Sequence, residues 1–177
     1  EHIHRREVEK QRYLKEAFRK EKNTYQELAK KDPLTGLRNL FGCKEILMKL
    51  LKEEYESSVV YIDLDDLKEV NDKYGHDVGD KIIIEFSEIL EEEIRETDCA
   101  CRLGGDEFLL VIPHAGKRAA KNIVNRINKN LFNRNKEERI KISFSYGFDD
   151  TKNKSTVEDL IKAADKRMYE NKRRKKY

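Results

Sequence analysis

No apolar run in this 177-residue sequence is longer than five residues (Phe108–Ile112). A helix needs ~20 to cross a bilayer, and no apolar h-region marks a secretory leader, so a membrane-spanning segment is excluded from the sequence as given. Cysteine is scarce: Cys43, Cys99 and Cys101 cannot all pair internally. A Cys-x-Cys without a second Cys or His pair is a poor zinc signature, so the three are expected to be reduced and buried in a cytoplasmic protein. An excess of either charge is also lacking. Lys plus Arg total 38 against 35 Asp plus Glu, a net +3, which gives no reason to expect a nucleic-acid partner. The length suits one compact domain with an accessory segment.

Glycine and proline are missing from residues 1–31, which carry ten Lys/Arg against six Asp/Glu. Composition changes at Asp32-Pro33, so residues 1–31 are expected to form a helix and residues 32–177 the domain. Leu14, Phe18, Tyr25 and Leu28 fit heptad a and d spacing, but the same register places His4, Glu7, Gln11 and Glu21 at the seam. Two readings stay open: a solvated helix, or a stalk that pairs with its copy and passes a signal from an upstream sensor. Residue 1 is Glu rather than Met, which leads to the expectation of a longer protein whose N-terminal region supplies that sensor and any membrane tether.

Beyond the turn-rich Asp32–Leu37 segment, Leu40, Ile46, Leu47, Leu50 and Leu51 predict a helix ending near Tyr55. Val59–Ile62 predicts a strand buried on both faces and ending at Asp63. Val78–Ile94 reads as a helix, Cys99–Leu103 and Phe108–Ile112 as a hairpin about Gly104-Gly105, and Ala119–Ile127 as a third helix. Ile140, Ile142 and Phe144 alternate as a strand, and Ser155–Glu158 reads as a capping box opening a last helix through Met168. Interleaved helices and strands predict an α/β or α+β sheet flanked by helices.

Asp63, Asp65 and Asp66 at a strand end, and Asp106-Glu107 at a glycine hairpin, can converge. Crowded carboxylates repel unless a hard cation lies between them, and Mg²⁺ prefers one or two carboxylates plus phosphate oxygens. Singly, each feature is ordinary: an Asp after a strand caps helices, and Gly-Gly-Asp is a common turn.

Together the strings say more. Gly104-Gly105-Asp106-Glu107-Phe108 resembles the signature of the GGDEF family, the diguanylate cyclases. Asp63-Leu64-Asp65-Asp66-Leu67-Lys68-Glu69-Val70-Asn71-Asp72, followed by Gly75-His76 and Gly79-Asp80, is similar to the family's D-x-D-x-F-K-x-x-N-D…G-H-x-x-G-D block. Asp32–Asn39 is similar to its opening D-x-L-T-G-L-x-N, and Ala164-Asp165…Met168-Tyr169…Lys172 to its closing helix. The resemblance covers about residues 32–177.

It implies a fold like the catalytic core of class III nucleotide cyclases and the polymerase palm, with a mostly antiparallel central sheet. The implied reaction condenses two GTP into cyclic di-GMP with loss of two pyrophosphates across a homodimer. Two Mg²⁺ ions per site, with Mn²⁺ as an alternative, would be held by Asp63, Asp106, Glu107 and the Leu64 carbonyl, and Asp106 or Glu107 would assist deprotonation of the 3′-hydroxyl. Lys68, the N–H groups of Asp66 and Leu67, and Lys172 and Lys176 would meet the phosphates. Asn71 and Asp80 would read guanine, with His76 in the same pocket loop. Arg95 and Asp98 match the family's R-x-x-D site, where product would inhibit. Arg102, just before Leu103-Gly104, is expected to steady the hairpin or Asp106 rather than to read product. The sequence departs from the family at Leu67, where Phe is usual, at Leu40, where Arg is, and at Lys176, where Arg is common. The alternative reading is a silent domain of this family that binds GTP or cyclic di-GMP as a receptor.

Overall fold

Seven consecutive buried residues, Ser58–Leu64, make the strand β1, so both its faces need cover and it must lie inside a sheet. The computed structural model describes residues 2–175 and places β1 in a four-stranded sheet of order β2-β3-β1-β4. β2 is Cys99–Gly104, β3 Glu107–Ile112 and β4 Phe144–Asp150, and every pairing between neighbours is antiparallel. The helices are α1 (His2–Leu28), α2 (Leu40–Leu50), α3 (Leu67–Tyr74), α4 (His76–Glu93), α5 (Lys117–Glu137) and α6 (Val157–Lys175). Alternate residues of β1 seed two cores. Val60, Ile62 and Leu64 pack with Phe86 and Leu90 of α4 and Ile123 and Ile127 of α5. Val59 and Tyr61 pack with Cys43 and Leu47 of α2 and Leu160, Ala164 and Met168 of α6. This is the expected mostly antiparallel sheet flanked by helices, with a helical region at the N-terminus.

Several boundaries differ from expectation. β4 begins at Phe144, not Ile140, because Asn135 of α5 takes both the N–H and the carbonyl of Ile142 with its side chain at 2.9 and 2.8 Å. The alternation of Ile140 and Ile142 therefore marks an extended segment tied to α5, and the strand runs on through Gly147 and Phe148. α2 stops at Leu50, five residues before Tyr55, as its carbonyls at Leu47 and Lys49 close on the following turn. α3 was not foreseen, since only Leu67 of its eight residues is buried and no apolar stripe announces it. Gly104 still belongs to β2, so the hairpin turn is Gly105-Asp106. Thr156, not Ser155, caps α6: its Oγ1 accepts the Asp159 N–H at 3.1 Å.

α1 carries the heptad residues Leu14, Phe18, Tyr25 and Leu28 uncovered, each at least half exposed. Its C-terminal junction is anchored. Asn39 donates its N–H to the Lys30 carbonyl at 2.8 Å and its side chain to the Ala29 carbonyl at 2.8 Å, while Asn39 Oδ1 caps α2 by accepting from Gly42 at 3.0 Å. Among the described residues no helix is long and apolar enough to cross a membrane.

α6 lies unusually close to β4. A Cβ built on Gly147 would stand 2.2 Å from the Ala164 carbonyl oxygen and 2.2 Å from the Met168 nitrogen, both backbone atoms that cannot swing aside. Gly147→Ala should therefore push α6 off the sheet and cost about 3 kcal/mol, a fall of about 9 °C in Tm for a chain of this size. Thermal unfolding followed by circular dichroism checks it, and an unchanged Tm would mean that the helix does not sit this close.

Candidate active site

β1 delivers Asp63 to one end of the sheet, where it faces Glu107 of β3 across the ladder. The hairpin turn adds Asp106, whose carbonyl accepts the Leu64 N–H at 3.0 Å. Asp63 is largely buried, and Lys172 of α6 forms an ion pair with it. Burial first, then the Asp106 and Asp65 carboxylates, outweigh that lysine, and the Asp63 pKa is raised. For Lys172 burial works downward, but its acidic neighbours, Asp63 foremost, outweigh it and its pKa is raised too. One ammonium thus leaves Asp63, Asp106 and Glu107 undercompensated, which is the electrostatic condition for a divalent cation. Among the described residues no three carboxylate, histidine or cysteine side chains form a ready-made cage. Asp63 and Asp106, with the Leu64 carbonyl, nevertheless fit Mg²⁺, which takes few protein ligands and completes its shell with water and phosphate.

Two residues around the acids, Tyr61 and Lys175, carry no family string and are not announced by the sequence, whereas Asp65 is the second aspartate of the D-x-D string. Tyr61, two residues before Asp63 and so on the same face of β1, donates its hydroxyl to Glu107 Oε1 at 2.9 Å. Burial, then Glu107, pushes its phenol pKa up, so it stays a donor. Asp65 accepts from the hydroxyls of Ser145 at 2.7 Å and Ser143 at 3.1 Å. Lys175 reaches Asp65 at 3.1 Å and also donates to the Phe144 carbonyl. The period-two spacing of β1 was the available signal for Tyr61. Lys176 lies outside the described residues.

Asp66, at φ 59°, turns the chain from β1 into α3, and among the described residues no protein group accepts the N–H of Asp66 or Leu67. Leu67 is buried in the core where Phe is usual, so that departure is absorbed by packing. Lys68 is exposed on the first turn of α3. Asn71 lies against α4: a Cβ on Gly79 would come within 1.8 Å of Asn71 Oδ1, which is buried and, among the described residues, without a hydrogen-bond partner. A glycine there lets the amide settle one residue from Asp80. His76, the first residue of α4, and Asp80 are both exposed.

Arg95 and Asp98 lie in the turn between α4 and β2. Asp98 Oδ2 accepts the Arg95 backbone N–H at 2.9 Å, and its own N–H returns to the Arg95 carbonyl at 2.9 Å. No ion pair joins the two side chains, so the guanidinium is exposed and uncommitted among the described residues. At the same corner Arg126 of α5 pairs with Glu93 at 3.1 Å.

Arg102 steadies the hairpin as expected, through a backbone carbonyl and not through Asp106. It donates to the Gly105 carbonyl at 2.8 and 3.1 Å and to both oxygens of Asp32 at 3.1 and 3.2 Å. Asp32 also accepts from the Thr35 N–H and hydroxyl at 2.9 and 2.8 Å. The opening loop is thus tied to the hairpin and to its own turn without the Arg that Leu40 replaces.

The comparisons agree with this geometry. The profile of the family described as "Diguanylate cyclase, GGDEF domain" matches residues 29–177. Diguanylate cyclase DgcS of Shewanella oneidensis is 34% identical over 156 residues, 82% of this chain and 51% of that protein. Probable diguanylate cyclase DgcJ of Escherichia coli is 35% identical over 81% of this chain and 29% of its own length. The chain therefore spans about half of the first relative's length and less of the second's. Among solved structures, diguanylate cyclase SiaD of Pseudomonas aeruginosa, in complex with its activator SiaC, superimposes with a TM-score of 0.77 at 26% identity, over 97% of this chain and 70% of that one. The coiled coil and GGDEF domain of Caulobacter crescentus DgcB, in complex with c-di-GMP, gives 0.85 at 22% identity over 98% and 95%, a likeness of fold alone.

Burial alone would raise the Asp32 pKa, but its hydrogen bonds from Thr35 and Arg102 outweigh burial and lower it. A lowered pKa contributes stability above the unfolded value of about 3.9 that is lost as pH falls through the folded value. Arg102→Ala should cost about 3 kcal/mol at pH 7, as for a buried pair losing one partner, and far less in acid, once pH has fallen through the folded value and Asp32 is protonated in both states. Urea unfolding under the two conditions measures this; an equal loss in both would assign the effect to the Gly105 carbonyl instead.

Proposed function

We propose, for a chain that belongs to the GGDEF diguanylate cyclase family, that it condenses two GTP into cyclic di-GMP and two pyrophosphates as a homodimer. The observation that carries this is the undercompensated acid cluster of Asp63, Asp106 and Glu107 at the end of β1, beside the unsatisfied N–H groups that open α3. Asp63, Asp106, the Leu64 carbonyl and Glu107 would hold Mg²⁺, which supplies neutralising charge to the triphosphate and eases loss of the 3′-hydroxyl proton. Lys172 turns from Asp63 to the phosphates, joined by Lys68 and the N–H groups of Asp66 and Leu67. Glu107, its Oε1 held by Tyr61, presents Oε2 to accept the 3′-hydroxyl proton.

Asp80 accepts from N1–H and the exocyclic amine of guanine, a pattern adenine does not offer. Asn71 supports it from α3 and His76 from the pocket rim. Each 3′-oxygen must reach the α-phosphate held by the other subunit, so one site does not close the ring alone. The uncovered Leu14, Phe18, Tyr25 and Leu28 stripe of α1 supports a stalk that pairs with its copy. Arg95, with its guanidinium free, and Asp98 form the product-binding site, where Arg95 stacks on and pairs with a guanine of cyclic di-GMP.

Incubation with GTP and Mg²⁺ at several protein concentrations should give cyclic di-GMP by chromatography and mass, rising faster than linearly with protein. Asp106→Ala should lower turnover about a thousandfold, the loss of about 4 kcal/mol of transition-state charge stabilisation; a wild-type rate would refute the assignment of the acids. Nucleotide binding with no pyrophosphate at any concentration would turn the reading to a silent receptor. Arg95→Ala should weaken product inhibition at least about tenfold, the worth of a charge-assisted hydrogen bond, without lowering the initial rate. Unchanged inhibition would leave Arg95 a surface residue.

A further inference from the structure

Three thiols gather on the face of β2 that meets α2. Cys99 and Cys101, two residues apart on the edge strand, point the same way with their sulfurs 3.7 Å apart. Cys43 of α2 and Cys101 are fully buried, whereas Cys99 is part-exposed. The Arg38 guanidinium stands beside Cys99, and the Arg38 backbone bridges Cys101. None of the three takes part in the proposed cyclisation.

We infer that Cys99 and Cys101 form a dithiol site for hydroperoxides, Cys99 as the attacking sulfur and Cys101 as the resolving one, whose closure contracts the strand leading into the Gly105-Asp106 turn. The two sulfurs differ in the way such a pair requires. Hydrogen bonding from Cys101, with Arg38 assisting, outweighs burial and lowers the Cys99 pKa. Cys101, hydrogen-bonded to Cys43 and Cys99 and buried, has its pKa raised and remains a protonated donor. The accessible sulfur is thus the one biased toward thiolate, the form that attacks.

The chemistry balances. The Cys99 thiolate attacks the terminal oxygen of a hydroperoxide, the O–O bond breaks, and the leaving alkoxide or hydroxide takes a proton, giving a sulfenic acid. Cys101 sulfur then attacks Cys99 sulfur, the S–O bond breaks, and water leaves with the thiol proton. Two thiols are oxidised to one disulfide while the peroxide is reduced to an alcohol, or to water for hydrogen peroxide, with one water released in the second step. In an extended strand Cα atoms two apart are about 6.7 Å from one another, at the upper end of the ~4.4–6.8 Å that disulfides span. Closing the sulfurs from 3.7 Å to bonding distance therefore draws in β2 next to Arg102, which grips the Gly105 carbonyl.

The test needs no cyclase activity, so its failure and that of the proposed function are separable. The fully reduced chain is treated with a small excess of hydrogen peroxide, quenched with a thiol-blocking reagent and digested. The expected product has lost two hydrogens, carries a Cys99–Cys101 link within one peptide and a blocked Cys43, and returns on dithiothreitol. Cys101→Ser should stop at a Cys99 sulfenic acid trapped by dimedone, and Cys99→Ser should leave both remaining thiols unmodified. Amide exchange at Gly104–Glu107 should quicken severalfold in the disulfide form. Three free thiols after treatment, a link to Cys43, or unchanged hairpin exchange in the linked form would overturn the proposal.

Discussion

Like charges brought together at the end of β1 are the constraint on which the other parts of the structure depend. Burial of Val59–Leu64 on both faces fixes where the strand ends, and that end is Asp63. Pairing with β3 then sets Glu107 opposite it, and the Leu64 to Asp106 hydrogen bond sets the hairpin turn beside it. Each contact is ordinary ladder geometry, yet together they hold acids at a spacing that costs free energy in the absence of a cation. Because Asp63 has a raised pKa, its native form holds a proton more tightly than the unfolded one, and its contribution to stability falls as pH rises through that window. Asp32 behaves oppositely, so the chain keeps a carboxylate that favours folding at the clamp and one that opposes it at the site, the usual division between scaffold and function.

Compensation for this cluster comes from α6, and it is geometric before it is electrostatic. Gly147 lets the helix lie almost in contact with β4, and Leu160, Ala164 and Met168 fix its rotation. One further turn along the same face brings Lys172 to Asp63 and, beyond it, Lys175 to Asp65. The lysines are therefore placed by a packing interface that is itself apolar. The hydroxyls of Ser145 in β4 and of Ser143 just before it complete the arrangement at Asp65, so the face of the strand that meets α6 passes from an apolar contact at Gly147 to a polar one at Ser145.

Most of the fold was legible because its signals are periodic. Val59–Ile62, the stripe of α4 and the hairpin each repeat a pattern that local geometry enforces. What failed was local and polar. α3 has one buried residue and exists because Asp66 and Gly75 turn the chain at its two ends, while Asn135 captured a segment whose alternation imitates a strand. Positions in the candidate site were legible where motif and topology coincide, as at Asp63, Asp106, Asn71 and Lys172, whose roles belong to the proposal. Tyr61 and Lys175 stayed hidden because their roles arise from contacts 46 and 110 residues away in sequence, which no spacing rule encodes.

The hairpin is also tied to the other end of the chain. Arg102 carries the Gly105 carbonyl and the Asp32 carboxylate on one guanidinium, and Asp32 N–H donates to the Leu37 carbonyl at 2.7 Å, closing the loop that follows α1. Lys30 and Lys31 sit in that junction, with the Lys30 carbonyl wedged against Gly42 so closely that a Cβ would meet it at 2.7 Å. A planar guanidinium with fixed donor directions transmits displacement more faithfully than a flexible ammonium. A shift of α1 large enough to move Asp32 must either break a largely buried ion pair or carry the turn that holds Asp106 with it. Breaking the pair costs several kcal/mol, so Asp32 and the Gly105-Asp106 turn are held as one unit through the Arg102 guanidinium.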